Sequence, residues 1–256
     1  MLRFAVIGNP IAHSKSPEIH QGFASQFGIE LTYERVLATK ETFNQTVLDF
    51  FAQAGRGLNI TSPFKGDAYA MCDWRCPYAE EAKAVNTLLL RDEKLCGHNT
   101  DGLGLRFDLE ERLGFSLSGK KLLMIGAGGA VRGVMRPLID AGIASCHIIN
   151  RDATKAEGLA DTFKSSLPCS GGDFTTVLDD VFDIAINSTP ATQFPLIRFT
   201  NDSLAYDMRY TTDADDFLQF AAANGAKKTQ NGLGMLYAQA AEAFYLWHDV
   251  KPAISF

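Results

Sequence analysis

Lys121-Leu122-Leu123-Met124-Ile125-Gly126-Ala127-Gly128-Gly129-Ala130 is the stretch on which the reading of this chain turns. Its first half has the uninterrupted apolar core of a strand buried on both faces, and its second half is a glycine-rich turn. A helix is expected over about residues 131–141 and a strand over 146–150, ending roughly twenty residues past the turn, the spacing of a dinucleotide-binding unit. Glycines there permit a tight turn and let backbone amides approach a pyrophosphate, which the positive end of the helix also attracts. A βα turn with no ligand would use the same glycines. The third fingerprint position is Val131, neither Gly nor Ala, which predicts looser packing of the helix on its strand.

Working outward, strand-like and helix-like segments alternate along the chain, the pattern of an α/β protein with mostly parallel strands. Towards the C-terminus a helix is expected over 153–163, strands over 182–187, 203–208 and 227–229, and a last helix over about 233–247 carrying Leu236, Ala240, Ala243, Phe244 and Trp247 on one side. The Ser/Gly-rich stretch 165–172 reads as a mobile loop. Towards the N-terminus a helix through Leu105, Leu109 and Leu113 ends at Gly114. Before it come strands at 2–7, 31–37 and 58–61, a helix starting at an N-cap Ser16 with Pro17 behind it, a helix carrying Phe43, Val47 and Phe51, and a helix opened by Ser62-Pro63. Residues 85–90 and 95–99 read as a hairpin around the charged turn Arg91-Asp92-Glu93-Lys94.

The bulk properties exclude several classes. With 256 residues there is ample chain for a core, and 46% hydrophobic with 21% charged residues is an ordinary globular balance. A net charge of −6 disfavours a nucleic-acid binder. Five scattered cysteines (Cys72, Cys76, Cys96, Cys146, Cys169) read as reduced thiols, and Cys72 with Cys76 lacks the second Cys/His pair of a metal site, so no metal is expected. No apolar run is long enough for a signal segment or a membrane span, so the expected location is cytoplasmic. The sequence leaves monomer and homodimer open.

Polar clusters stand where strands of an open α/β sheet end and ligands bind. Ser14-Lys15-Ser16 follows the first strand; Asn59-Ile60-Thr61-Ser62-Pro63-Phe64-Lys65 ends the third; Asn86 interrupts an apolar strand; Asn99-Thr100-Asp101 ends the hairpin. A ketone reduced by hydride needs a proton for the developing alkoxide, and Lys65 in a first helical turn beside Asp101 suits that work. The alternative is a surface salt bridge worth about 1 kcal/mol or less. After the second strand of the glycine-turn unit stand Asn150-Arg151 and, a turn later, Lys155, where an NAD binder usually carries Asp or Glu. The two cations suit a 2′-phosphate or are solvated surface charges, and the carboxylate of Asp152 would repel a phosphate.

These motifs, with Ala84-Val85-Asn86-Thr87, Tyr206-Asp207-Met208-Arg209-Tyr210, Asn231-Gly232-Leu233-Gly234-Met235-Leu236 and Gln239-Ala240-Ala241-Glu242-Ala243-Phe244, resemble the shikimate dehydrogenase family in order and essentially end to end. The resemblance implies reversible NADP-linked reduction of 3-dehydroshikimate to shikimate, on the route to aromatic amino acids. It implies Lys65 and Asp101 as the catalytic pair and Ser14, Ser16, Thr61, Asn86, Tyr210 and Gln239 on the substrate. It places Gly126, Ala127, Gly128, Gly129, Ala130, Asn150, Arg151, Lys155, Thr189, Met208 and Gly232 along the cofactor. The fold it implies is two α/β domains: a discontinuous substrate domain of residues 1–101 plus 235–256, and a Rossmann-type doubly wound dinucleotide domain of residues 102–234, with the active site in the cleft between them. Where the family often has Thr this chain has Asp152, and where it often has Gly this chain has Thr192. Serine at both 14 and 16 favours shikimate over quinate. The competing readings are a quinate/shikimate dehydrogenase using NAD and a non-catalytic dinucleotide sensor.

Overall fold

The structure is a computed structural model that describes residues 1–175, 180–211 and 214–255. Its chain forms two compact units, Met1–Gly104 with Leu236–Phe256, and Leu105–Met235.

The first unit is built on a six-stranded sheet of order β2-β1-β3-β5-β6-β4. Strands β1 (Leu2–Gly8), β2 (Leu31–Leu37) and β3 (Gly57–Ile60) run parallel, joined by helices α1 (Ser16–Gln26) and α2 (Phe43–Ala52). Then β5 (Thr87–Arg91) turns antiparallel to β3 and pairs with β6 (Lys94–His98) as a hairpin. Asp92 and Glu93 at its tip both have positive φ, as the tight two-residue turn requires. Between β3 and β5 lie α3 (Lys65–Met71), the two-residue β4 (Trp74–Arg75) and α4 (Pro77–Ala82). Alternate residues of β1 face opposite ways: Ala5 and Ile7 pack with Val47, Leu58, Phe64 and Leu88, while Phe4 and Val6 pack with Ile11 and Tyr33.

In the second unit the strands are β7 (Lys121–Ile125), β8 (Ser145–Ile149), β9 (Cys169–Gly172), β10 (Val181–Asn187), β11 (Arg198–Asp207) and β12 (Lys228–Asn231). They pair all-parallel in the order β12-β11-β10-β7-β8-β9, the doubly wound dinucleotide-fold arrangement. Helices α6 (Gly129–Asp140), α7 (Ala153–Phe163) and α8 (Asp215–Ala223) lie between strands. Leu122 and Met124 belong to one core cluster and Leu123 and Ile125 to another, so β7 is buried on both faces, which is why its sequence is apolar throughout. Val131 sits fully buried in the first of these clusters.

Helix α5 (Asp101–Phe107) closes the first unit's N-terminal segment, and α9 (Leu233–His248) leads back into that unit. There Ala240, Ala241 and Phe244 pack on Ile19, Phe23 and Ala24 of α1. A fully buried aromatic such as Phe244 contributes about 2–3 kcal/mol.

Several expectations change. The residue before α1 is Lys15, which makes no side-chain cap, so Ser16 opens the helix and does not cap it. The helix expected at Ser62-Pro63 starts at Lys65, because the cis Ser62–Pro63 bond and Phe64 precede its first turn. Asn86 lies just before β5 and not inside it. The helix through Leu105 and Leu109 widens into a π-helical turn at Asp108–Arg112, where buried Asp108 takes hydrogen bonds from Arg112 and, at 2.5 Å, from the Tyr206 hydroxyl. The stretch read as a mobile loop contains β9, paired with β8 through Cys146–Cys169 to Ile149–Gly172. Its glycines reflect close packing: a Cβ on Gly171 would lie 2.4 Å from the Glu157 backbone nitrogen of α7. Among the described residues no helix is long and apolar enough to cross a membrane.

Candidate active site

The C-terminal ends of the first unit's strands gather a buried polar cluster. Lys65, the first residue of α3, reaches Asp101, the first residue of α5, with Nζ 2.6 Å from Oδ2. The other carboxylate oxygen accepts from Asn86 Nδ2 at 2.8 Å. The same amide nitrogen donates to Thr100 Oγ1 at 2.9 Å and approaches Gln239 Oε1 at 3.4 Å, and the Asp101 backbone N–H is held by Asn99 Oδ1 at 3.1 Å. Four of the residues singled out in the sequence (Lys65, Asn86, Asp101 and Gln239) therefore form one connected network, carried on α3, the residue before β5, α5 and α9. An ammonium and a carboxylate 24% and 11% exposed are more desolvated than an ordinary surface pair.

Ser14 and Ser16 form a separate buried pair, Oγ to Oγ 3.2 Å, and Ser14 Oγ also accepts the Ser16 N–H at 3.3 Å. Arg35 Nε holds the Ser14 carbonyl at 2.7 Å, fixing the loop. Thr61 is partly buried and donates its backbone N–H to the Ile7 carbonyl at 2.9 Å, which ties the ends of β1 and β3 together. Thr87, Asn59 and Tyr33 join the network from below. Asn59 and Thr87 stood in sequence motifs without a role, because a threonine in a strand otherwise reads as β-propensity, and Tyr33 gave no signal.

In the second unit the nucleotide-type residues lie where parallel strands end. The turn after β7 places Gly126 at φ +113°, and a Cβ there would lie 2.3 Å from Ser188 Oγ, so only glycine fits beside the segment after β10. Ala127 is partly buried, whereas Gly128, Gly129 and Ala130 are exposed, with nothing within 4 Å of a Cβ built on either glycine. Gly128 caps α6 without a side-chain hydrogen bond, which leaves the amides of a 12-residue helix open. That open, side-chain-free turn fits a pyrophosphate. Asn150 follows β8 and donates to the Asp152 carbonyl at 3.2 Å; Arg151 is exposed; Lys155 pairs with Asp152 at 3.6 Å. Asn187 Oδ1 accepts from the N–H and hydroxyl of Thr189 at 3.0 and 2.8 Å. The Met208 N–H donates to the Asn187 carbonyl at 2.8 Å and the Gly232 N–H to the Arg209 carbonyl at 2.9 Å, so the ends of β10, β11 and β12 are knitted together. Tyr210, half-buried just beyond β11, has its phenol pushed up by burial.

A doubly wound parallel sheet with an open glycine turn at the end of its first strand, in one chain with an α/β unit that carries a Lys–Asp pair, defines a two-unit nicotinamide-linked oxidoreductase. Family models sharpen this. The substrate-binding domain of shikimate dehydrogenase matches residues 6–88, and shikimate/quinate 5-dehydrogenase matches residues 108–209. The chain belongs to the shikimate dehydrogenase family. A shikimate dehydrogenase (NADP(+)) of Dechloromonas aromatica is 45% identical over 255 residues, covering 97% of this chain and 93% of the relative. Among solved structures, an Ael1 enzyme from Pseudomonas putida superposes with a TM-score of 0.90 at 38% identity, covering 99% of this chain and 95% of that one. A shikimate 5-dehydrogenase of Thermus thermophilus, in complex with NADP(H) and shikimate, superposes with a TM-score of 0.83 at 33% identity and the same coverage.

Proposed function

We propose that this chain is an NADP-linked dehydrogenase that interconverts 3-dehydroshikimate and shikimate, with Lys65 and Asp101 as its acid/base pair. The observation that carries the reading is the 2.6 Å contact of Lys65 Nζ with Asp101 Oδ2, with Asn86 on the other carboxylate oxygen. Gly126, Ala127, Gly128, Gly129 and Ala130 would hold the cofactor pyrophosphate, Asn150, Arg151 and Lys155 its phosphorylated ribose, and Thr189, Met208 and Gly232 the remainder. When bound, the reduced nicotinamide supplies a hydride to the ketone carbon. Lys65 gives a proton to the oxygen as its charge develops, and takes one from the hydroxyl in the reverse direction. Asp101 orients the amine, and Asn86 keeps the carboxylate in place. Ser14 and Ser16 donate hydroxyls to the substrate carboxylate, while Thr61, Asn86, Tyr210 and Gln239 complete its contacts.

The test is a matrix of shikimate and quinate against NADP and NAD, read by absorbance of the reduced nicotinamide. Shikimate with NADP is expected to give the highest kcat/KM. Preference for quinate with NAD would assign the broader-specificity activity, and no reduction in any combination would leave a dinucleotide sensor.

A further inference from the structure

Behind the Lys65–Asp101 pair a row of buried polar side chains crosses the first unit's sheet. The Tyr33 hydroxyl on β2 donates to Asn59 Oδ1 on β3 at 2.6 Å. Asn59 Nδ2 donates to the Thr87 hydroxyl at 3.1 Å and to the Asn86 carbonyl at 3.2 Å. The Thr87 hydroxyl lies 3.0 Å from Asn86 Oδ1, and Asn86 Nδ2 reaches Asp101. Asn59, Asn86 and Thr87 are 6%, 3% and 0% exposed, so an amide left unmatched here would stay unmatched.

Two backbone atoms fix every direction in this row. A carbonyl can only accept, so the Asn59 atom facing the Asn86 carbonyl is the NH2 group. A backbone N–H can only donate, so the Asn86 atom facing the Thr100 N–H, at 2.9 Å, is the oxygen. The Thr87 hydroxyl therefore receives from Asn59, and its own proton has one direction left, to Asn86 Oδ1. Burial holds the Tyr33 phenol well above its ordinary pKa, so it stays a donor and closes the far end. The amide face presented to Asp101 is thus the NH2 face. The reverse orientation would set an amide oxygen against a carboxylate oxygen.

We propose that Thr87 is a positioning residue for the acid/base pair: its hydroxyl, together with the Thr100 N–H, holds the Asn86 amide with Nδ2 towards Asp101, and so keeps Asp101 aimed at Lys65. Thr87 acts through Asn86, on the opposite side of that amide from Asp101. This rests on the reading of Lys65 and Asp101 as the acid/base pair.

Thr87→Val keeps the shape and removes the hydroxyl, leaving Asn86 Oδ1 to the Thr100 N–H at 2.9 Å and the longer contact of the Thr100 hydroxyl at 3.3 Å. The measurement is kcat and KM for shikimate oxidation with NADP in Thr87→Val, Thr87→Ser and Lys65→Met, with melting curves to show that each is folded. Losing one buried hydrogen bond from the network is expected to lower kcat about tenfold with KM within about twofold, and Thr87→Ser is expected to restore kcat. If Thr87→Val keeps parental kcat while Lys65→Met is inactive, or if Thr87→Ser fails to restore kcat, the positioning role is overturned. If Lys65→Met itself stays active, the acid/base reading has failed instead. Should Thr87→Val not fold, Tyr33→Phe removes the donor at the other end of the row: a fall in kcat without a change in KM supports the role, and an unchanged kcat overturns it.

Discussion

Lys65 Nζ stands 2.6 Å from Asp101 Oδ2, joining the first residues of two helices from different strand ends into one ion pair. The carboxylate fixes the position of the amine. Lys65→Ala removes the proposed proton donor and leaves Asp101 held by Asn86 and the Asn99-bound backbone. Loss of a general acid/base lowers turnover by about 10²–10⁴-fold. Steady-state kinetics should show that fall in kcat with KM little changed. A near-parental kcat would reduce Lys65 to a binding residue.

Ser14 and Ser16 lie 3.2 Å apart through their hydroxyls, and neither caps the following helix. With that role absent, two hydroxyls held side by side suit the two oxygens of a carboxylate. Each hydrogen bond to a charged acceptor is worth about 1.5–3 kcal/mol. Ser14→Ala and Ser16→Ala should each raise KM for shikimate by roughly tenfold to a hundredfold, with little change in melting temperature. An unchanged KM in both variants would remove them from the substrate site.

His20 gives a prediction about stability. It is fully buried, stacked 4.6 Å from Tyr33 among Phe23, Phe244 and Trp247, and neither ring nitrogen has a hydrogen-bond partner among the described residues. Burial, reinforced by nearby His248, depresses its pKa to about 3. The unfolded chain takes up this proton near pH 6.5 and the folded chain does not, so the stabilisation present above that pH is lost as pH falls towards 3. Between pH 7 and 4.5 the loss through His20 is roughly 3 kcal/mol. His98 and His248 are also depressed and contribute their own slopes. Urea unfolding of the parent and His20→Phe at both pH values isolates the His20 share: the variant should lose less stability by about that amount. Equal losses would mean that His20 titrates normally.

What could be read from the sequence follows how local each signal is. The doubly wound unit announces itself because β7 is apolar on both faces and its turn is glycine-rich, both properties of one contiguous stretch. Lys65, Asn86 and Asp101 stood out as polar residues at strand ends. That they share one carboxylate depends on the antiparallel insertion of β5 beside β3, a long-range pairing with no local sign. For the same reason β4 was invisible, since two residues become a strand only through their pairing with Cys96 and Gly97. The stretch containing β9 misled because Ser and Gly serve equally in a loop and in a strand pressed on a helix. The π-turn at Asp108 holds a hydrogen bond from Tyr206, 98 residues away, a partner with no local sign.

The loop after β8 carries the residues proposed to meet the cofactor ribose. Asp152 Oδ2 lies 3.6 Å from Lys155 Nζ, with both side chains exposed, so the carboxylate spends part of its charge on Lys155. Arg151 is exposed beside them. A 2′-phosphate brought to this loop would meet Arg151 directly, and would compete with Asp152 for Lys155. On the proposed reading, two cations against one carboxylate favour NADP over NAD, with Arg151 expected to supply most of the margin. A charge-assisted arginine–phosphate hydrogen bond is worth about 1.5–3 kcal/mol, roughly tenfold to a hundredfold in affinity. Arg151→Ala should therefore lower kcat/KM for NADP by about that factor and spare NAD. Asp152→Thr should act in the opposite direction: it releases Lys155 and removes the repulsion, raising kcat/KM for NADP while leaving NAD nearly unchanged. Because both groups are exposed, the gain from Asp152→Thr should shrink as ionic strength rises. The measurement is kcat/KM for both cofactors in the parent and the two variants, at low and high salt. A parent that prefers NAD, or an Arg151→Ala variant that weakens both cofactors equally, would show that the phosphate is not read at this loop.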